Sequence, residues 1–448
     1  MLIMFDKSAS SEAKAGEGGD GGDDGSGSGT FSGGGGGGGR KKSKTTQATT
    51  PSTTTKTTPV PTKRPAAFIF CTVGPFSESG SYDVLQGQFC DYFVYTHVLP
   101  YQRDILSYDN HQSWEQFKKS AAAYRNKLDY FGFPNVTNTS TVKLQHYGYS
   151  FAAYDISWLK SHLDSVAAKV KQLYKDNGLL TAGLAYYSRP DAATDHNLGT
   201  IKSIMTSING MLDGAQDKNT TNLKTTFLAV KLSGKDSSAK NDASALQELK
   251  GVAHMDLLIL LTHLVDVPSH PNCKILPLSR YAADALDPVE PPSMERLLNS
   301  IDKLKDAKFR VAFSTSFAVY LFKPLGGLQD TTKFGDKCMH SFFDDMSALC
   351  DVPDASIIED KKNPAVSTAT YSNKQSGIFM VFETNNATRV KVSQALVKAR
   401  EKGVMLTWAV YEVHRDQMLC ENKKKTLERL ATVNDSMVTI FFPPQDDR

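Results

Sequence analysis

No uninterrupted apolar run in the 448 residues reaches the roughly 18 needed to cross a membrane as a helix. The apolar start, Met1 to Phe5, is cut off at once by Asp6 and Lys7, short of the about 7–15 residues of an export signal's apolar core. Charge of either sign is not in excess. Fifty-one Lys and Arg stand against 48 Asp and Glu, a net +3 that argues against nucleic acid as a partner. Cysteine is scarce, six residues in all, too few for a cystine-stapled miniprotein but enough for three bridges. No two of them stand at zinc-knuckle spacing, so neither a metal nor a cofactor is expected.

What is present points to an oxidising, glycosylating environment. Asn-x-Ser/Thr sequons occur at Asn135, Asn138, Asn219, Asn386 and Asn434. The expected location is extracellular or cell-surface, with any membrane attachment made through a span outside this sequence. Residues 1–64 lack the means to fold alone. Gly16 to Gly39 holds 15 glycines in 24 positions, and Phe31 is the one large apolar residue there to offset the cost of ordering the backbone. The basic cluster Arg40, Lys41, Lys42 and Lys44 reads as a solvated linker or, alternatively, as the cytosolic flank of a membrane span. Thr45 to Thr62, with ten threonines and three prolines, resembles an extended O-glycosylated stalk. A disordered tail over 1–64 is therefore expected.

From Pro65 the pattern is globular and alternating. Phe68–Val73, Tyr92–Leu99, Leu179–Leu184, Phe227–Leu232, Leu257–Leu261, Arg310–Phe313 and Val404–Val410 read as short buried strands. Between them lie amphipathic stretches. In Ile156–Leu173 the residues Leu159, Leu163, Val166, Val170 and Leu173 recur at steps of three and four, a helical stripe. Further helices are expected at Ile201–Leu212, Met294–Leu304 and Val390–Lys402. Alternating strands and helices imply a parallel sheet with right-handed crossovers. With 384 residues available and no Gly-rich phosphate turn after the first strand, this predicts a (β/α)8 TIM barrel over 65–448 rather than an open doubly wound sheet. An insertion at about 323–378 precedes the last strand. Phe227–Leu232 is expected as strand four and Val404–Val410 as strand eight.

Several segments in order resemble the family-18 glycoside hydrolases, the chitinases and their lectin-like relatives. Cys71 sits on the first strand, and Cys90-Asp-Tyr-Phe-Val-Tyr95 keeps the Cys-to-Tyr spacing of that family's Cys-Thr-His-x-x-Tyr motif. Asp256 is followed five residues later by Leu261-Thr-His263-Leu, where the family has Met-x-Tyr-Asp. Phe379-Met-Val-Phe382-Glu383 stands for Trp-x-x-Tyr-Asp, and Gly403-Val-Met405-Leu-Thr-Trp408 for Gly-x-Met-x-Trp. The resemblance implies bridges Cys71–Cys90 and Cys350–Cys420, leaving Cys273 and Cys338 as the third pair.

The same resemblance implies that the chemistry is gone. The family's signature on the fourth strand is Asp-x-x-Asp-x-Asp-x-Glu, whose Glu protonates the leaving oxygen while the preceding Asp orients the substrate acetamide. Alignment on Phe227 puts Leu228, Lys231, Ser233 and Lys235 at the four acidic positions, and no acids elsewhere in the chain fit the spacing. The reading is a catalytically inactive chitinase-like barrel, a monomer, that binds a chitin-type oligosaccharide or a glycoprotein through its C-terminal face. Two rivals stand beside it: a growth-factor-like scaffold without sugar binding, and a hydrolase drawing acids from Asp266, Asp344, Asp345 or Glu412. Candidate ligand contacts are Tyr95, His263 and Trp408. Trp408 stands one residue further from Met405 than the family's pattern has it, a slip that turns it away from the barrel interior unless a bulge absorbs the extra residue.

Overall fold

Eight strands run parallel around a closed ring: β1 (Ile69–Val73), β2 (Tyr92–Tyr101), β3 (His146–Phe151), β4 (Thr181–Ser188), β5 (Thr225–Lys231), β6 (Leu257–Leu260), β7 (Arg310–Ser316) and β8 (Leu406–Tyr411). Each pairs with the next, and β1 closes the barrel by pairing with both β2 and β8. The computed structural model is described over residues 68–75, 89–130, 145–188, 196–216, 224–232, 239–265, 271–282, 292–365, 368–421 and 423–441. The expected tail over 1–64 lies outside these residues, as do Asn135, Asn138, Asn219, Ser233, Lys235 and Asp266. Asn386 is exposed in the first turn of a helix, and Asn434 is half-buried within the last one.

The strand numbering corrects one expectation. Phe227–Leu232 is not strand four but the bulk of β5, because the sequence reading passes over β3. His-Tyr-Gly-Tyr-Ser-Phe carries neither a β-branched residue nor a polar–apolar alternation, the two usual signs of a strand. Its glycine has a packing reason. A Cβ on Gly148 would lie 2.1 Å from the Thr181 carbonyl oxygen, so β3 and β4 approach only where that atom is absent.

Side chains alternate between two buried layers. Phe70, Tyr92, Val94, Ala185, Phe227, Ala229, Ile259, Ala312, Ala409 and Tyr411 fill the barrel interior. Ile69, Cys71, Tyr95, Leu228, Phe313 and Trp408 face the surrounding helices. Those helices pack as their sequence pattern implies. The stripe Leu159, Leu163, Val166, Val170 and Leu173 is wholly buried, although it runs through two helices, Ile156–Leu163 and Ala167–Asn177, joined by a single 3-10 turn. Asp155 caps the start by accepting from the Ser157 and Trp158 amides, and Gly178 ends the run at a φ of 73°.

Between β7 and β8 stands a four-stranded antiparallel sheet, in spatial order Cys338–Asp344, Val319–Pro324, Ile378–Phe382, Ala369–Asn373. Its outer limits are wider than the expected 323–378. All three bridges are formed, Cys71–Cys90, Cys273–Cys338 and Cys350–Cys420, with Cα–Cα separations of 5.9, 5.0 and 5.3 Å. The latter two tie the insertion to the segment after β6 and to the hairpin after β8. Among the described residues no helix is long and apolar enough to cross a membrane.

Candidate binding cleft at the C-terminal face of the barrel

Parallel strands in a closed barrel all end on one face, and their loops form a concavity there. Here that concavity is a cavity of about 290 Å³. The ends of β1, β2 and β8 reach it through Thr72, His97 and Tyr411, and β4 through Ala185 and Tyr186. The insertion contributes Tyr320 and Phe343 as one wall. Tyr154, just past β3, stands on the other side and is 62% exposed, its ring 5.2 Å from that of Tyr108. Aromatic faces that remain open to solvent are what a sugar ring stacks on.

The fourth strand sets the chemistry of the floor. Its sequence from Asn177 to Pro190 contains no Asp and no Glu. Against β5 the register slips between Leu184 and Tyr187, a bulge of one residue. The bulge leaves Ala185 and Tyr186 both on the interior side, while Leu184 and Tyr187 pack outward. Gly183 is also tightly covered, since a Cβ there would come within 1.9 Å of the Phe227 carbonyl oxygen. Above it the Tyr411 hydroxyl crosses the barrel and donates to the Ala185 carbonyl at 2.7 Å. Tyr411 thus bridges β8 to β4 across the centre of the floor.

Three histidines surround this bridge. His263 Nδ1 lies 2.8 Å from Ser314 Oγ, and the ring sits 4.5 Å from Tyr411. His97 Nδ1 lies 3.3 Å from Ser150 Oγ, and the Gly74 amide donates to His414 Nδ1 at 3.3 Å. Burial pushes His263 down to about 3 and His97 down to about 4. For His414, burial and then the neighbouring Arg415 act the same way. All three are neutral at pH 7, so they offer hydrogen bonds rather than charge.

A stability effect follows from His263. Below about pH 6.5 the unfolded chain takes up a proton that the folded chain refuses down to about 3, so acid favours unfolding across that window. Replacing His263 by Gln removes this contribution. The stability difference between parent and His263→Gln is expected to shift by about 1.4 kcal/mol per pH unit from pH 6 to 4, the parent losing more. Urea unfolding at several pH values measures it, and a difference flat with pH would show His263 to be hydrated.

Two carboxylates reach the cavity, Asp109 and Glu412. Glu412 adopts a φ of 55°, accepts from Ser316 Oγ at 2.7 Å, and lies 3.7 Å from Arg415 Nε. Arg415 in turn stacks over Phe343 at 4.6 Å. Of the alternative acids, Asp344 and Asp345 lie on the insertion, outside the cavity lining.

Of the three ligand contacts expected from sequence, the cleft keeps one. His263 lines it. Trp408 does not: β8 pairs with β1 and β7 in unbroken register, so nothing absorbs the extra residue and the indole turns outward against Phe313. Tyr95 also faces outward, packed on Trp114 and Phe117, with its hydroxyl donating to the Asn110 carbonyl at 3.1 Å. Leu228 lies in the outer layer of β5, and Lys231 ends that strand in a buried position. Neither belongs to the fourth strand. Tyr411, Tyr186 and Arg415 were missed, although strand parity places Tyr411 on the face opposite Trp408.

No protein-family model matches the chain, and no curated protein matches it in sequence. Solved structures do. The second catalytic domain of a Group II chitinase from Ostrinia furnacalis is similar at 13% identity and a TM-score of 0.58, over 83% of this chain and 97% of that one. A family-18 N-acetylglucosaminidase from Paenibacillus barengoltzii is similar at 10% identity and a TM-score of 0.54, over 83% and 99%. A class V chitinase from Nicotiana tobaccum, solved as a variant in complex with NAG4, is similar at 10% identity and 0.53, over 82% and 97%. At such identities the likeness is one of fold, and the described barrel with its antiparallel insertion is a chitinase-like, family-18-type TIM barrel.

Proposed function

We propose that this chain is a non-hydrolysing, chitinase-like protein that binds an N-acetylglucosamine-type oligosaccharide in the cleft of its barrel. The observation that carries the reading is the floor: the fourth strand offers Gly183, Ala185 and Tyr186 inward, and the Tyr411 hydroxyl occupies the space above Ala185. A general acid projecting from that strand has neither a side chain nor room. Binding survives because the walls are aromatic and open. Tyr154 and Phe343 come from loops on opposite sides of the ring, after β3 and before β8, and take over the stacking role that Trp408 cannot fill. The complex of the tobacco enzyme with NAG4 supports the ligand class. Three disulfides and no free cysteine support a life in an oxidising compartment, outside the cell or on its surface.

Calorimetric titration with N-acetylglucosamine oligomers tests this. Tyr154→Ala and Phe343→Ala are each expected to weaken binding by about 3- to 10-fold, the worth of one aromatic contact. Trp408→Phe is expected to leave affinity unchanged. A protein that binds no oligomer at millimolar concentration would leave the scaffold reading in its place.

A further inference from the structure

We propose that the outer edge of the insertion sheet pairs with the same edge of a second copy of this chain. The strand Cys338–Asp344 has a partner on one side only, Val319–Pro324. Its beginning is covered on the other side: the Cys338 amide donates to the Cys273 carbonyl, and Lys337 bridges to Lys274. Its end passes into a 3-10 turn capped by Asp345. The open stretch is therefore Met339 to Asp344, with a bulge at Met339 and regular register from His340 onward.

This stretch lacks the devices that blunt natural edges. It has no lysine and no proline, and Phe342 and Phe343 are 43% and 46% exposed. It is also self-complementary. An antiparallel pairing of residues 340–344 with their own copy, centred on Phe342, sets Phe342 opposite Phe342, His340 opposite Asp344, and Ser341 opposite Phe343. Directly opposed residues share a face of the sheet. One face thus presents two rings at the centre, with an imidazole–carboxylate pair at each end. His340 and Phe342 already lie on that face, their rings 6.3 Å apart. The two-fold axis closes the assembly as a dimer rather than a filament. Two such short edges bury far less than the about 1,200 Å² of a stable complex, so association is weak and shows at about 0.1–1 mM.

Sedimentation equilibrium of the full chain over that range tests the pairing. The parent is expected to populate a dimer, and Phe342→Lys to weaken it at least tenfold by placing two ammonium groups opposite one another. His340→Asp is expected to weaken it several-fold, and the exchange His340→Asp with Asp344→His to restore it. All of these side chains are exposed, and unchanged melting of each variant excludes loss of fold. Oxidation of Phe342→Cys is expected to yield a covalent dimer, while Met405→Cys, equally exposed but remote from the sheet, is not. A parent that stays monomeric at 1 mM would overturn the proposal, as would a dimer indifferent to Phe342→Lys or an exchange that fails to restore association.

Discussion

Replacing Lys391 by Met is expected to lower the unfolding free energy by about 3–5 kcal/mol, the cost of leaving a buried charge without its partner. Lys391 and Glu383 are both almost wholly buried. The ammonium Nζ donates to the two carboxylate oxygens of Glu383 at 3.0 and 3.2 Å and to the Ser279 carbonyl at 3.0 Å. Burial draws the Lys391 pKa down while Glu383 pulls it back. Three parts of the fold meet here: the loop after β6, the end of the insertion's strand Ile378–Phe382, and the helix Asn385–Glu401. Removing the lysine strands the carboxylate. Removing both charges does not, so Lys391→Met with Glu383→Gln should recover most of the loss. Urea unfolding of the three variants measures this. A single variant that loses less than about 1 kcal/mol would mean that water already reaches the carboxylate.

The architecture was legible in the sequence because parallel strands buried on both faces read as short apolar runs. Phe68–Val73, Leu257–Leu261 and Val404–Val410 are such runs, and each is a barrel strand or overlaps one closely. β3 was not legible. Its inward positions are Gly148 and Ser150, so the interior near it is filled from other strands, and composition there gives no apolar signal. Missing one strand shifted the count and moved the degenerate motif from β4 to Phe227–Leu232. The direction of Trp408 was legible from spacing alone, since one residue too many reverses a strand's faces. The cleft was less so. Tyr411 and Ala185 meet only because β8 and β4 stand across the ring from each other, and Tyr154 and Phe343 face one opening from loops that are 189 positions apart in the chain.

Incubated with N-acetylglucosamine oligomers bearing a fluorescent leaving group, the protein is expected to release no more than a buffer blank. A positioned general acid contributes about 10²–10⁴ in rate, and its orienting carboxylate adds to that. On β4 neither has a place. Restoring acids at Ala185 and Tyr186 is not expected to help. The Gly183 backbone is pressed against Phe227, and Tyr411 holds the Ala185 carbonyl, so the new side chains would enter space that is already filled. Adding Tyr411→Phe removes the hydroxyl but leaves the ring, and the triple variant should remain at the blank. The assay also decides against the rival reading. Glu412 lies in the same cleft but comes from the end of β8, tied to Ser316 and beside Arg415. Turnover by the parent that is abolished in Glu412→Gln would make that residue the acid and this protein a hydrolase of unfamiliar design. Turnover that survives Glu412→Gln but is lost in Asp109→Asn would do the same for Asp109. A blank rate together with measurable oligomer binding is the pair of results that the bridged floor and the open aromatic walls require.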